Sequence, residues 1–210
     1  MIRVLIVDDH GIVRRGFKEV FDDEFSELEI GEAENSRVAL ELITTREWDL
    51  VLLDIDMPGR SGLEVLAEIK RLHPRTPVLV VSAYPEEEFA IRSLKLGASG
   101  YLHKGSASEE ILAAARKVMA GGKYVTALLS EKLAAALGGD IQHAPHECLS
   151  TRELQVLRMI ASGKTIKEIA SELALSEKTV GTYRLRIAKK MGLNSNVDLT
   201  RYAMKHRLVV

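Results

Sequence analysis

The 210-residue sequence predicts an α/β protein: a doubly wound, five-stranded parallel sheet followed by a second, smaller all-α domain. Three observations carry this expectation. Short aliphatic runs alternate with helix-period segments through the first ~120 residues, and helical periodicity alone follows in the tail. The charge divides at the same place. Residues 1–125 hold 16 Lys and Arg against 22 Asp and Glu, a balance of −6, whereas residues 148–210 hold 12 against 5, a balance of +7. Between them, "GGDIQHAPHE" (Gly138–Glu147) is rich in turn formers and reads as a linker.

Taken in order, the strands are Ile2–Val7, Leu28–Ala33, Leu50–Leu53, Val78–Val81 and Gly100–Leu102. Amphipathic helices fall between and after them, near 11–22, 36–46, 62–72, 86–96 and 107–120. Strands apolar throughout, rather than alternating, are what a parallel sheet covered on both faces requires. Five β–α repeats then imply the flavodoxin-like strand order 2-1-3-4-5. "AGGKYVT" (Ala120–Thr126) breaks the pattern, and a short helix (Ala127–Leu137) precedes the linker. Helices follow at roughly 151–162, 166–173, 177–191 and 196–205. The expected division is 1–122 for the sheet domain, 123–147 for the linker with its short helix, and 148–210 for the helical domain. No apolar run approaches the ~20 residues of a membrane span, and the N-terminus lacks the layout of a secretory leader. A single cysteine, Cys148, forbids an internal disulfide and fits a reducing compartment.

The chemistry-bearing residues follow the strands. Strand 1 ends in Asp8 and Asp9, strand 3 in Asp54, strand 4 in Ser82 and strand 5 in Lys104. In an open α/β sheet, ligands sit outside the carboxyl ends of the strands, where strand order reverses. Strands 1 and 3 are neighbours at that point, so three carboxylates converge. Their mutual repulsion calls for a cation, and an all-oxygen site with room for water suits Mg²⁺. Such an ion lets one carboxylate, Asp54, act as nucleophile toward a phosphoryl group, whose oxygens Lys104 and the Ser82 hydroxyl can hold. Asp and Ser after a strand are also common helix N-caps, and "DDHG" alone reads equally well as a cap.

In the tail, "STRE" (Ser150–Glu153) is a capping box, and Ser176 in "SEKTV" caps the third helix. Between them, "GKTIKEIASELALS" (Gly163–Ser176) has helix-turn-helix spacing. Along the third helix, Val180, Tyr183, Ile187 and Met191 form one stripe that faces the small core. The opposite stripe is Lys178, Thr182, Leu185 and Lys189, flanked by Thr179, Gly181 and Arg186. Cations reach phosphates from such a face, short polar groups reach base edges, and Leu185 suits a thymine methyl. Gly181 costs ~1 kcal/mol of helix propensity, which close approach to DNA would justify.

These segments resemble known families. "LIVDDH", "DLVLLDIDMPGRSGLEVL", "VLVVSAY" and "GASGYLHKG" are similar to a two-component receiver domain. "TRELQVL", "KEIASELALSEKTV" and "IAKKMGL" are similar to the LuxR-type helix-turn-helix. The whole chain therefore resembles a response regulator of the NarL/FixJ family. The resemblance implies Asp54 as phosphoacceptor, phosphorylated by a sensor histidine kinase or a small phosphodonor. It also implies Mg²⁺ on Asp8, Asp9, Asp54 and the Asp56 backbone carbonyl, and phosphoryl contacts from Lys104 and Ser82. Tyr101 becomes an aromatic switch that turns inward when Ser82 moves, and the small Ala83 leaves the site open to a bulky donor. A cytoplasmic homodimer on double-stranded DNA, with RNA polymerase as a further partner and activation rather than repression, completes the expectation. Many members carry His where this chain has Tyr183, and positions 181, 182 and 185 vary, so the DNA sequence read is not transferable.

Two alternatives stand beside it. One is a phosphorylation-independent DNA-binding regulator whose receiver is a dimerisation scaffold. The other is an aspartyl-phosphate phosphatase, since "DIDMP" (Asp54–Pro58) resembles the Asp-x-Asp motif of haloacid-dehalogenase-type enzymes. Those enzymes place the motif after the first strand, however, whereas here it follows the third. The expectation is a non-enzyme, apart from slow self-dephosphorylation.

Overall fold

The structure, a computed structural model, describes residues 1–57, 60–84, 86–131, 145–206 and 208–209. The chain divides into two compact units, Met1–Asp140 and Ile141–Val210.

In the first unit the order is β1 (Ile2–Val7), α1 (Gly11–Glu24), β2 (Leu28–Ala33), α2 (Ser36–Thr45), β3 (Leu50–Leu53), α3 (Gly62–Leu72), β4 (Val78–Ser82), α4 (Glu86–Lys95), β5 (Gly100–His103) and α5 (Ser108–Met119). The strands form one all-parallel sheet in the order β2-β1-β3-β4-β5, as expected. The central strands are buried along their whole length because alternate residues meet helices on opposite faces. Val4, Ile6, Leu52 and Val81 pack in one cluster with Phe17 and Phe21 of α1 and Ile111 and Val118 of α5.

Two local features differ from the sequence expectation. β2 is not apolar throughout: Glu29 and Glu32 interrupt it, because it lies at the sheet's edge, where charge discourages pairing with another chain. Its Gly31 is required by packing, since a Cβ there would lie 2.2 Å from the Trp48 ring. Ser82 is the last residue of β4, paired with His103, rather than the first residue beyond it. Other element ends fall within two residues of the expected positions, the usual uncertainty of helix fraying.

The second unit contains a 3-10 turn (Pro145–Cys148), which carries an exposed Cys148, then α6 (Thr151–Ala161), α7 (Ile166–Glu172), α8 (Glu177–Met191) and α9 (Asn196–Lys205). Each helix starts on a hydroxyl cap. Ser150 and Glu153 form the expected box, and Thr165 with Glu168 forms a second one, which the T-x-x-E spacing already carried. Ser176 and Ser195 accept from Thr179 N–H and Asp198 N–H. Between α7 and α8, Ala174 takes φ 51°, a left-handed conformation that strains an L-residue. Leu154, Leu157, Ile169, Val180, Ile187 and Leu199 form the core. Of the expected Ala127–Leu137 helix, residues 127–131 are helical and the rest lies outside the described residues.

Candidate functional site

Sheet register brings the strand-end groups together. Val7 pairs with Leu53, so Asp8 and Asp54 leave adjacent strands at one level, and Asp54 N–H donates to the Val7 carbonyl at 2.9 Å. On the other side, Lys104 N–H donates to the Ser82 carbonyl at 2.8 Å. The Lys104 ammonium crosses to the carboxylates, 2.8 Å from Asp54 Oδ2 and 2.6 Å from Asp8 Oδ2.

The capping alternative does not describe these carboxylates. His10 is the N-cap of α1 and no side chain caps that helix, while Asp8 Oδ1 accepts the His10 N–H at 2.8 Å. Asp54 Oδ1 accepts from Asp56 N–H at 3.0 Å. Asp54 is only 2% exposed, and burial pushes its carboxyl up to about 6. Lys104 and the Asp56 N–H pull it down, and Asp8 adds repulsion. Lys104 is shifted up: burial disfavours its charge, but Asp54 and Asp8 outweigh burial. A simple ion pair would lower the acid as it raises the base. Here the acid rises too, because one lysine is divided between two buried carboxylates and does not compensate for the water Asp54 has lost.

The pocket thus carries uncompensated negative charge, and its geometry fits a cation. Ligand atoms of Asp8, Asp9, His10 and Asp54 lie within 4.8 Å of one another. Asp9 Oδ1 is buried without a hydrogen-bond partner among the described residues. His10 Nδ1 lies 2.8 Å from it, close in charge terms but outside hydrogen-bonding geometry. An orphaned carboxylate oxygen among three acids suits a hard divalent ion with oxygen ligands.

Tyr101 is fully buried and donates through its hydroxyl to the Tyr84 carbonyl at 2.9 Å. Its inward position is therefore the one present in this structure. Ser82 Oγ accepts from Tyr84 N–H at 3.1 Å, so the residues flanking Ala83 join Ser82 to Tyr101 through one backbone segment. Ala83 itself is exposed.

Three contributors were not singled out by sequence reasoning. His10 joins the acids, a role that its place directly after them could have suggested. Arg14, in the first turn of α1 and six residues downstream, donates to the Asp8 carbonyl at 2.8 Å. Gly62 opens α3 against the Asp54 backbone, where a Cβ would lie 1.9 Å from the Asp54 carbonyl oxygen. That close approach is tertiary, and no local pattern encodes it.

In the second unit, α8 divides much as its periodicity suggests. Val180, Ile187 and Met191 are buried, while Tyr183 is half-buried. Lys178, Thr182, Leu185, Arg186 and Lys189 are exposed, Leu185 by 66%. Thr179 is half-buried and its N–H serves the Ser176 cap. Apart from the backbone of its own helix, no atom of the described residues lies within 4 Å of a Cβ built on Gly181, so packing does not demand glycine there. Lys190, directly after Lys189 in sequence, is drawn away to Glu153 at 2.6 Å.

Fold and site define a class: a doubly wound receiver sheet with an acidic pocket at its carboxyl edge, followed by a helix-turn-helix unit. Residues 4–116 match the response regulator receiver domain, and residues 147–203 match the bacterial regulatory proteins of the luxR family. The chain is 38% identical to the response regulator GacA of Pseudomonas aeruginosa, over 100% of this chain and 98% of the relative. It is 35% identical to the response regulator UvrY of Escherichia coli K12, over 99% and 96%. Among solved structures it resembles RcsB of Salmonella enterica serovar Typhimurium, bound to promoter P1flhDC with phosphomimetic BeF3−. That match has TM-score 0.59 and 26% identity, covering 96% of this chain and 97% of that one. The chain belongs to the response regulators of the NarL/FixJ family, which join a receiver domain to a LuxR-type DNA-binding domain. Among the described residues, no helix is long and apolar enough to cross a membrane.

Proposed function

We propose that this protein is a cytoplasmic, phosphorylation-dependent transcription regulator that accepts a phosphoryl group on Asp54 from a sensor histidine kinase. The observation that carries this reading is the buried Asp54 carboxylate, unusually basic for an acid and 2.8 Å from Lys104. The domains act as a receiver (1–122), a linker (123–147) and a DNA-binding domain (148–210).

Asp8, Asp9, Asp54 and the Asp56 carbonyl would hold Mg²⁺, which when bound would neutralise charge on the transferring oxygens. An Asp54 carboxylate oxygen bonds to phosphorus as the bond from phosphorus to the donor nitrogen breaks, and that electron pair leaves with the donor histidine. Lys104, released from Asp54, pairs with a phosphoryl oxygen, and the Ser82 hydroxyl turns from Tyr84 N–H to donate to another. The added charge of about −1.5 to −2 thereby moves the Tyr84 segment against which Tyr101 rests. A homodimer then places two copies of α8 on two half-sites. Lys178, Arg186 and Lys189 contact phosphates, and Thr179, Gly181, Thr182 and Leu185 lie toward the bases. RNA polymerase is the partner that turns binding into activation.

The test is phosphoryl incorporation from acetyl phosphate with Mg²⁺, read by intact-protein mass. One phosphoryl group on the wild type and none on Asp54→Ala is expected. Incorporation that persists in Asp54→Ala places the acceptor elsewhere. Sustained release of phosphate from the donor would instead favour the phosphatase.

A further inference from the structure

At the opposite end of the sheet from Asp54, the receiver carries a second, open hollow of about 430 Å³. It lies beside the starts of β4 and β5 and the segment that follows α5. Lys70, Arg75 and Lys123 line it, and no Asp or Glu does. This is notable in a segment whose net charge is −6. None of the three cations pairs with a carboxylate among the described residues. The two lysines are held instead by backbone carbonyls: Lys70 Nζ donates to Thr76 O at 2.5 Å, and Lys123 Nζ to Ala98 O at 2.6 Å.

The hollow is built rather than incidental. Gly97 takes φ +99°, and a Cβ there would lie 3.1 Å from Lys70 Cγ, so the missing side chain makes the bed for the lysine stem. The nearly buried Ser99 also lines the hollow, and its hydroxyl has no hydrogen-bond partner among the described residues. Burial and the Lys123 charge together push Lys70 down to about 8, so the like charges stand close enough to disfavour each other. Unpaired cations sharing a concave site are stabilised by an anion that bonds to several at once.

We propose that Lys70, Arg75, Lys123 and the Ser99 hydroxyl bind the phosphoryl group of a small molecule. Three cations and a hydroxyl donor suit a tetrahedral dianion, which presents oxygens in several directions, better than a planar carboxylate. The volume falls in the range of small-molecule sites, roughly 300–1,000 Å³, and leaves room for an ester group beyond the phosphate. The segment that leads from α5 into the linker, Gly121–Lys123, forms one wall. An occupant therefore ties the exit from the receiver to β4 and β5, independently of Asp54.

The test is amide NMR of the full chain carrying Asp54→Ala, in chelator, titrated separately with inorganic phosphate, pyrophosphate and AMP. Saturable shifts at Gly97, Gly121 and Gly122 are expected, and the ligand order separates free phosphate from an ester as the source. Lys70→Gln or Lys123→Gln should weaken the response at the three glycines by about tenfold or more, the loss of a charge-assisted bond. The two lysines are partly exposed, so both variants should retain the wild-type amide dispersion. Absence of shifts at the three glycines with every ligand, or shifts that both variants retain in full, would overturn the proposal.

Discussion

Each half of the molecule buries a carboxylate against a lysine, and the two pairs behave in opposite ways. In the receiver, Asp54 lies 2.8 Å from Lys104; in the DNA-binding domain, Glu153 lies 2.6 Å from Lys190. Both acids are almost fully buried, at 2% and 3% exposure. Burial raises Asp54 to about 6 despite its lysine. Burial also opposes the Glu153 charge, but Lys190 and the Ser150 N–H and hydroxyl outweigh it and hold the carboxyl below the usual range. The difference lies in the donors. Among the described residues Glu153 shares its lysine with no other carboxylate, and it closes a capping box, with Ser150 N–H at 2.6 Å. Asp54 divides Lys104 with Asp8 and sits beside an orphaned Asp9 oxygen. A pair with complete donors is structure, whereas a pair left short of donors offers its charge to a cation or a phosphoryl group.

The largest effect should come from deleting the acid that is short of donors. Without divalent ions, Asp54→Asn is expected to stabilise the receiver near pH 7 by on the order of 2–3 kcal/mol, read by hydrogen exchange of β1 and β3 amides. The sign follows from the raised folded pKa: Asp54 favours folding most below its ordinary value near 3.8, and that advantage is lost as pH rises through about 6. The gain in the variant should therefore vanish toward pH 4. Glu153→Gln should do the reverse, costing about 1–3 kcal/mol in exchange of α6 and α8 amides near pH 7. Its folded pKa is lowered, so the wild-type advantage is present above the ordinary 4.5 and disappears as pH falls below it. Equal signs for the two variants would break the comparison.

A pair of glycines sharpens it at smaller scale. Gly62 is forced by the Asp54 backbone, while a Cβ at Gly181 would meet open space among the described residues. Gly181→Ala is expected to stabilise α8 by about 1 kcal/mol while weakening DNA binding at fixed salt. Stabilisation with unchanged DNA affinity would remove the reason offered for that glycine.

Much of this was legible in the sequence because it is local or periodic. Apolar runs gave the central strands, hydroxyls followed by Glu gave helix starts, and a polar residue after each of four strands gave the acidic site. The remainder depends on groups distant in sequence. The rise of Asp54 comes from its burial in the folded sheet, reinforced by Asp8 and opposed by Lys104, 46 and 50 residues away in sequence. The fit of Gly62 against Asp54 needs the turn into α3, and the inward Tyr101 needs the Tyr84 carbonyl. The charges in β2 are readable only once β2 is known to be an edge.

The most direct test of the account is a selection of genomic DNA fragments by three preparations. These are wild type treated with acetyl phosphate and Mg²⁺, untreated wild type, and Asp54→Ala given the same treatment. The account predicts that only treated wild type enriches discrete sites. Equal enrichment by all three would contradict it, leaving Asp54 without control over α8 and the receiver as a dimerisation scaffold.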